Sequence, residues 1–236
     1  MKELESLSAF QARTGAFIYD SLPHGRDLET SAGLALKVGS GGRMEPFMGS
    51  TVVFPLPEPA RQAVARIQER LYRTCAPALA EPLEPSSFHV TLHDLLNGKP
   101  ARALEERVSH MRDAALARVR QIAERRETVL LRSTALFNMV NTSMVLGFAP
   151  ADEESCERLM AYYEMMQEIV PLNYPLTPHV TVAYFRPGTI SAEAVEQLRE
   201  AAGEVGRWEK LQITLPVEAL EYQEFSDMNH YWRSSM

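Results

Sequence analysis

Apolar and polar residues along this chain follow two periods, one near 3.6 residues and one of two, and the switches between them divide it into elements. Helical spacing predicts a short helix over residues 3–19, with Leu4, Leu7 and Phe10 on one face. A second helix is expected over 58–73 on the stripe Ala60, Val64, Ile67 and Leu71. The longest is expected over 101–126, where Leu104, Val108, Met111, Ala115, Val119 and Ile122 line up. A fourth runs from Asp152, a plausible N-cap, to Ile169 before Pro171, and buries Cys156, Leu159, Tyr163 and Met166. A fifth is expected over 192–202, capped by Ser191.

Alternation with period two predicts strands over 50–56, 87–95, 128–137, 142–148 and 178–185, and one or two strands within 211–225. Asn97-Gly98 and Pro187-Gly188 close two of them, and residues 138–141 suit a hairpin turn. Residues 21–49 look loop-like, and 227–236 look like a loose tail in which Tyr231 and Trp232 are the docking candidates. The resulting order is α, β-α-β, α, β-β, α-β, α-β, which is an α+β pattern with helices on the outer faces of sheets. The expected division is an N-terminal helix and loop (1–49), a principal domain of two lobes (50–225) and a C-terminal tail (226–236).

Two of these strands carry the same short motif. Ser87-Phe88-His89-Val90-Thr91-Leu92-His93 and Pro178-His179-Val180-Thr181-Val182 both read His-x-Thr-x with an apolar x. Residues two apart on a strand share a face, so each copy sets a proton carrier beside a hydrogen-bond donor. Two copies suggest two related halves facing one shared site. Such a pair suits phosphodiester cleavage by in-line attack. One histidine takes the proton of the nucleophile, the other protonates the leaving oxygen, and the threonine hydroxyls donate to the non-bridging oxygens.

Composition narrows the partners. The chain has 236 residues, 45% apolar and 23% charged, with a net charge of −7. That balance argues against loose coating of duplex DNA or of an anionic membrane, and leaves room for a small anion in a local pocket. Most basic residues are arginine, and many sit beside glutamate on helices, as on a solvated face. No apolar run is long enough to span a bilayer, and the first residues lack the apolar core of a secretory signal. Cys75 and Cys156 form no disulfide framework, so free thiols in a cytoplasmic setting are expected. Gly39-Ser40-Gly41-Gly42 lacks the Gly-Lys-Ser/Thr ending of a phosphate-binding loop and reads as a turn.

The two motifs, at this separation in a chain of this length, resemble the two-histidine phosphoesterase superfamily. That group includes bacterial RNA 2′-5′ ligase-like proteins and cyclic nucleotide phosphodiesterases. The resemblance runs from about Phe47 to Phe225, and 47–53 together with 85–91 look like a less characterised bacterial and fungal branch. It implies a bilobal, pseudo-twofold fold in which two antiparallel-rich sheets form a concave cleft, with one motif from each lobe. It implies His89 and His179 as the catalytic pair, Thr91 and Thr181 on the phosphate, and no metal or other cofactor. The substrate class it implies is a nucleotide or an RNA-end phosphoester, cyclic or 2′-5′-linked. Relatives often carry a basic residue shortly after each motif; here His93 and Tyr184 stand there, and both are candidate substrate contacts.

Simpler readings stand beside these. His89 and His93 have a His-x3-His spacing, but that spacing aligns metal ligands on a helix, and this segment reads as a strand with no third ligand in view. His93 shares the strand parity of His89 and Thr91, whereas Tyr184 has the opposite parity to His179 and faces the core unless the strand bulges. Phe47, Tyr184 and Phe185 are candidates to stack on a base, with core packing favoured for Phe185. Asn138 and Asn141 read as turn residues. The rival function is a nucleotide or RNA-end binding module without turnover.

Overall fold

The computed structural model of the protein describes residues 4–18, 21–208 and 210–234. Its elements in chain order are α1 (Leu7–Ile18), β1 (Leu28–Glu29), β2 (Met48–Pro55), α2 (Glu58–Cys75), β3 (His89–Gly98), α3 (Arg102–Ala123), β4 (Thr128–Met139) and β5 (Ser143–Pro150). They continue with α4 (Glu153–Gln167), β6 (His179–Tyr184), β7 (Thr189–Ile190), α5 (Ala192–Trp208), β8 (Gln212–Pro216), β9 (Glu221–Phe225) and β10 (Tyr231–Arg233). The architecture is α+β. One four-stranded sheet has the order β10-β9-β2-β3 and the other β6-β5-β4-β8, and all their pairings are antiparallel.

The two strands that carry the His-x-Thr motifs, β3 and β6, are each the edge of their sheet, and these edges pack against one another. An edge strand leaves backbone groups unpaired, and burying them requires other partners. Here Gln68 of α2, itself buried, donates to the carbonyls of Val182 and Leu83. The amide of Ala80 donates to the carbonyl of Tyr184, and Leu79 bridges Phe185. β6 is thereby fixed from the side opposite its sheet partner.

Helices cover the sheets. α3 packs on β2, β3 and β9, α5 on β4, and α2 on α5 and β6, while α4 touches strands of both sheets. The α4 start is capped as its sequence suggests, since the Asp152 carboxylate accepts from the Ser155 amide at 2.8 Å. Val64, Leu71, Val119, Ile122, Leu159, Tyr162, Leu198 and Val217 join residues of both sheets in one continuous core. Cys75 and Cys156 are buried free thiols within it. No helix among the described residues is long and apolar enough to cross a membrane.

Three expectations are revised. The tail is not loose: Tyr231, Trp232 and Arg233 pair with Phe225, Glu224 and Gln223, adding an edge to the first sheet. The last helix does not stop at Ala202 but continues to Trp208, because its buried stripe of Val195 and Leu198 extends to Val205. The segment 21–49 is irregular but anchored. β1 pairs with β7, Ala32–Leu36 forms a 3₁₀ turn, and Gly39–Gly42 is the turn between the bridged residues Val38 and Met44.

Gly49 marks a close approach between β2 and β3. A Cβ there would lie 2.3 Å from the Leu96 carbonyl oxygen and 2.8 Å from the Asn97 Cα, both backbone atoms that cannot swing away. Gly49→Ala is therefore expected to lower stability by roughly 1–3 kcal/mol in urea denaturation. An unchanged midpoint would show that the two strands are not held this closely.

Candidate active site

β3 and β6 present their motifs into one cleft of about 930 Å³, whose walls include His89, Thr91, His179 and Thr181. That volume suits a nucleotide-sized ligand. The local geometry of the two motifs is the same. In each, Nδ1 lies 2.7 Å from the backbone carbonyl two residues earlier, Ser87 for His89 and Thr177 for His179. A carbonyl oxygen only accepts, so Nδ1 carries the proton in both rings. Nε2 is then the nitrogen left to each ring for acid–base work. Among the described residues, neither the Thr91 nor the Thr181 hydroxyl has a hydrogen-bond partner in the protein, which leaves both open to a ligand.

Both strands then bulge at the same place. On β3, Val52 pairs with His93 but Val53 pairs with Thr91, so Leu92 is an extra residue. On β6, Met144 pairs with Ala183 but Val145 pairs with Thr181, and Val182 is extra. A bulge reverses the parity of the residues beyond it. His93 therefore does not share the face of His89 and Thr91, contrary to the alternation in the sequence. It is 1% exposed at the floor of the cleft, its Nε2 3.4 Å from the Gln167 Oε1 and its ring against Tyr163 of α4. Its Nδ1 has no hydrogen-bond partner among the described residues. The residues carried onto the cleft face are Asp94 and Tyr184, five positions after His89 and His179 respectively. The Tyr184 hydroxyl donates to the Met228 sulfur at 3.1 Å.

Other elements complete the walls. Lys37, just after the 3₁₀ turn, sets its ammonium 5.2 Å from the Phe47 ring centre and 5.8 Å from that of Tyr184. Arg13 of α1 is held by two 2.8 Å bonds to Glu5, and it donates to the Leu176 carbonyl at 2.9 Å and to the Thr177 hydroxyl at 3.3 Å. It thus braces the residue whose carbonyl orients His179. Ile18, at the other end of α1, packs on Phe137 and Val145. Val145 lies opposite Thr181, so α1 covers part of the motif-bearing face of the second sheet. Tyr231, in the segment expected to be a tail, meets the His89 ring edge-on at 5.0 Å. Tyr174 reaches from the segment before β6 to donate to Asp94 Oδ2 at 2.8 Å.

Asn138 and Asn141 are occupied by the turn. Asn138 Nδ2 donates to the Ser21 carbonyl and to Asn141 Oδ1, and its Oδ1 accepts from the Asn141 amide. Val140 and Asn141 both have positive φ, 43° and 57°, and the Thr142 amide closes the turn on the Met139 carbonyl. Phe185 is fully buried and belongs to the core, while Phe47 stacks against Phe225 in the cleft wall.

The charges in the cleft act on both imidazoles. Burial lowers His89 to about 4, partly offset by the Ser87 carbonyl and by Asp94, while His179 pushes it further down. Burial also lowers His179, offset by the Thr177 carbonyl and Asp94 and reinforced by Lys37. His89, His179 and Asp94 line the same cleft. Among the described residues no group of three His, Cys, Asp or Glu side chains is arranged to hold a metal ion.

Sequence reasoning foresaw the motifs but not Asp94, Lys37, Arg13, Tyr174 or Tyr231. A signal existed for Asp94, which stands at the same distance from its histidine as Tyr184 does. The other four come from irregular or terminal segments that only the tertiary fold brings to the cleft.

Comparison with known proteins bears on the fold. No family model and no curated protein matches the chain. Among solved structures, a conserved protein of unknown function, ATU0111 from Agrobacterium tumefaciens str. C58, matches with a TM-score of 0.60 at 19% identity, over 89% of this chain and 94% of that one. This shows a shared fold. TT0787 of Thermus thermophilus follows at a TM-score of 0.49 and 16% identity, over 79% of this chain and 94% of that one. E. coli LigT complexed with 3′-AMP follows at 0.46 and 14%, over 81% and 97%. The last two likenesses are too weak to bear on function.

The lowered histidines carry a consequence for stability. Unfolded, they titrate near pH ~6.5; folded, they resist protonation to lower pH. The unfolded chain then binds more protons, so their contribution is complete above about 6.5 and is lost as pH falls, for His89 toward about 4. His89→Gln removes one such group, and its urea midpoint should fall less steeply over that window than that of the unaltered protein. Parallel slopes would contradict the assignment of neutral, proton-resisting rings.

Proposed function

We propose that the chain is a two-histidine phosphoesterase, a metal-independent phosphodiesterase acting on a nucleotide or RNA-end phosphoester, cyclic or 2′-5′-linked. The observation that carries this reading is the duplication of one local geometry inside one cleft. Each copy has a histidine with Nδ1 tied to the carbonyl two residues before it and a threonine with a free hydroxyl two residues after it.

In this reading the phosphorus sits between the two Nε2 atoms. Water, or a ribose hydroxyl, attacks from one side and gives its proton to the neutral Nε2 there. A P–O bond forms, the opposite P–O bond breaks, and the departing oxygen takes a proton from Nε2–H of the second ring. The first ring ends protonated and the second neutral, and solvent resets them. Thr91 and Thr181 donate to the non-bridging oxygens, where charge accumulates. The Ser87 and Thr177 carbonyls keep both rings in the required tautomer and stabilise whichever ring is cationic.

Both imidazoles resist protonation in the empty cleft. The general acid is therefore charged most readily when the phosphate anion is beside it, which raises its affinity for a proton. This has a kinetic signature. The pH profile of kcat/KM reports the free protein, and its alkaline limb should fall below ~6.5. The profile of kcat reports the complex, and its alkaline limb should lie higher. Coincident limbs would argue against substrate-assisted protonation.

The decisive panel contains 2′,3′-cyclic mononucleotides, 2′-5′-linked dinucleotides, cyclic dinucleotides and ADP-ribose cyclic phosphate. At least one should be turned over, activity should survive EDTA, and His89→Ala or His179→Ala should each lower kcat/KM by on the order of a hundredfold or more. Loss of activity in EDTA with recovery in zinc would overturn the reading. Tight binding of the panel with no turnover would favour a binding module.

A further inference from the structure

The cleft holds one group that sits oddly with a phosphate ligand. Asp94 is a carboxylate on the same face as His89 and Thr91, put there by the bulge at Leu92. Tyr174 satisfies one of its oxygens at 2.8 Å, and the other has no partner among the described residues. The Tyr174 phenol is pushed well above its ordinary value by burial and by Asp94 itself, so it stays a donor.

The charged residues of the cleft wall are Arg13, Lys37 and Asp94. Arg13 is already matched by Glu5 through two hydrogen bonds. Lys37 has no carboxylate within ion-pair distance among the described residues and rests on aromatic rings. Lys37 and Asp94 therefore formally cancel, and both histidines are neutral when the cleft is empty. A single negative charge can be met by Lys37 together with one imidazole that takes up a proton. A second phosphate would find no further cation and would meet Asp94 in a cavity of low polarisability.

We propose that Asp94 sets the substrate class: the cleft takes a phosphodiester that carries one negative charge and offers a hydroxyl or amino hydrogen to the open Asp94 oxygen, and it rejects the same molecule bearing an added phosphate. This rests on the phosphodiesterase reading above and narrows it. A nucleoside 2′,3′-cyclic phosphate with a free 5′-hydroxyl fits. Its 5′-phosphorylated counterpart, as at the end of a chain carrying a terminal phosphate, does not. Asp94 is a specificity-determining residue here, not a proton carrier, since the two histidines already fill both acid–base roles.

The test compares adenosine 2′,3′-cyclic phosphate with its 5′-phosphorylated form, on the full chain and on Asp94→Asn. Asparagine keeps the shape and can still accept from Tyr174, so the variant isolates the charge. The unaltered protein should prefer the first ligand in kcat/KM by on the order of tenfold or more, and Asp94→Asn should erase most of that preference by raising kcat/KM for the second. Calorimetric binding of the same two ligands reads the preference without turnover. Binding preference without hydrolysis would leave the role of Asp94 standing and remove 2′,3′-cyclic phosphates from the substrates of the phosphodiesterase reading. Equal use and equal binding of the two ligands, or a preference that Asp94→Asn leaves unaltered, would overturn the role of Asp94.

Discussion

Two hydrogen bonds of 2.7 Å, from His89 Nδ1 to the Ser87 carbonyl and from His179 Nδ1 to the Thr177 carbonyl, govern everything the cleft can do. They choose the tautomer, fix the ring planes and leave Nε2 as the nitrogen without the proton on both sides. The bonds are short-range in sequence, yet their directions depend on long-range packing. The acceptor of His179 is braced by Arg13 from the N-terminal helix, and Ser87 donates back to the Glu84 carbonyl to close the short turn that precedes β3. A proton-transfer pair needs preorganisation of this kind, because an imidazole free to flip loses the alignment that acid–base catalysis demands.

The second constraint is the paired bulge. One extra residue in each motif strand sends His93 to the buried floor and brings Asp94 and Tyr184 to the cleft. The two halves thus share a backbone plan but not a chemistry. On one side the fifth residue after the histidine is an anion, on the other a phenol packed beside Lys37. That difference breaks the pseudo-symmetry of the cleft, while the geometry of the two His-x-Thr motifs stays the same on both sides. In the proposed reading it also separates reaction type, which rests on the histidines and threonines, from selectivity, which rests on what the bulges deliver.

Much of this was legible in the sequence. The α+β order, the strand placement of both motifs and the hairpin at 138–141 come from periodicity and turn chemistry. The bulges did not show, because Leu92 and Val182 are apolar residues that continue an ordinary alternation; the break exists only in the pairing with β2 and β5. Tyr231–Arg233 is too short a run to display any period, and its strand character comes from the partner Phe225–Gln223. Lys37 sits in an irregular segment whose course is set by the β1–β7 pairing and by a 3₁₀ turn, so its place beside Tyr184 could not be read locally. Sequence pattern reports local preference well and tertiary convergence poorly, and an active site is made of the latter.

The central claim is that the two imidazoles serve one phosphorus centre through their Nε2 atoms. Long-range ¹H–¹⁵N spectra of the histidine rings test it most directly, recorded across pH with and without dimethyl phosphate, the simplest phosphodiester monoanion. In the free protein His89 and His179 should both appear as neutral rings protonated at Nδ1. Adding the diester should perturb Nε2 of both and raise the pH at which one of them becomes charged. Rings protonated at Nε2 when neutral, or a ligand that moves one histidine and leaves the other untouched, would contradict it.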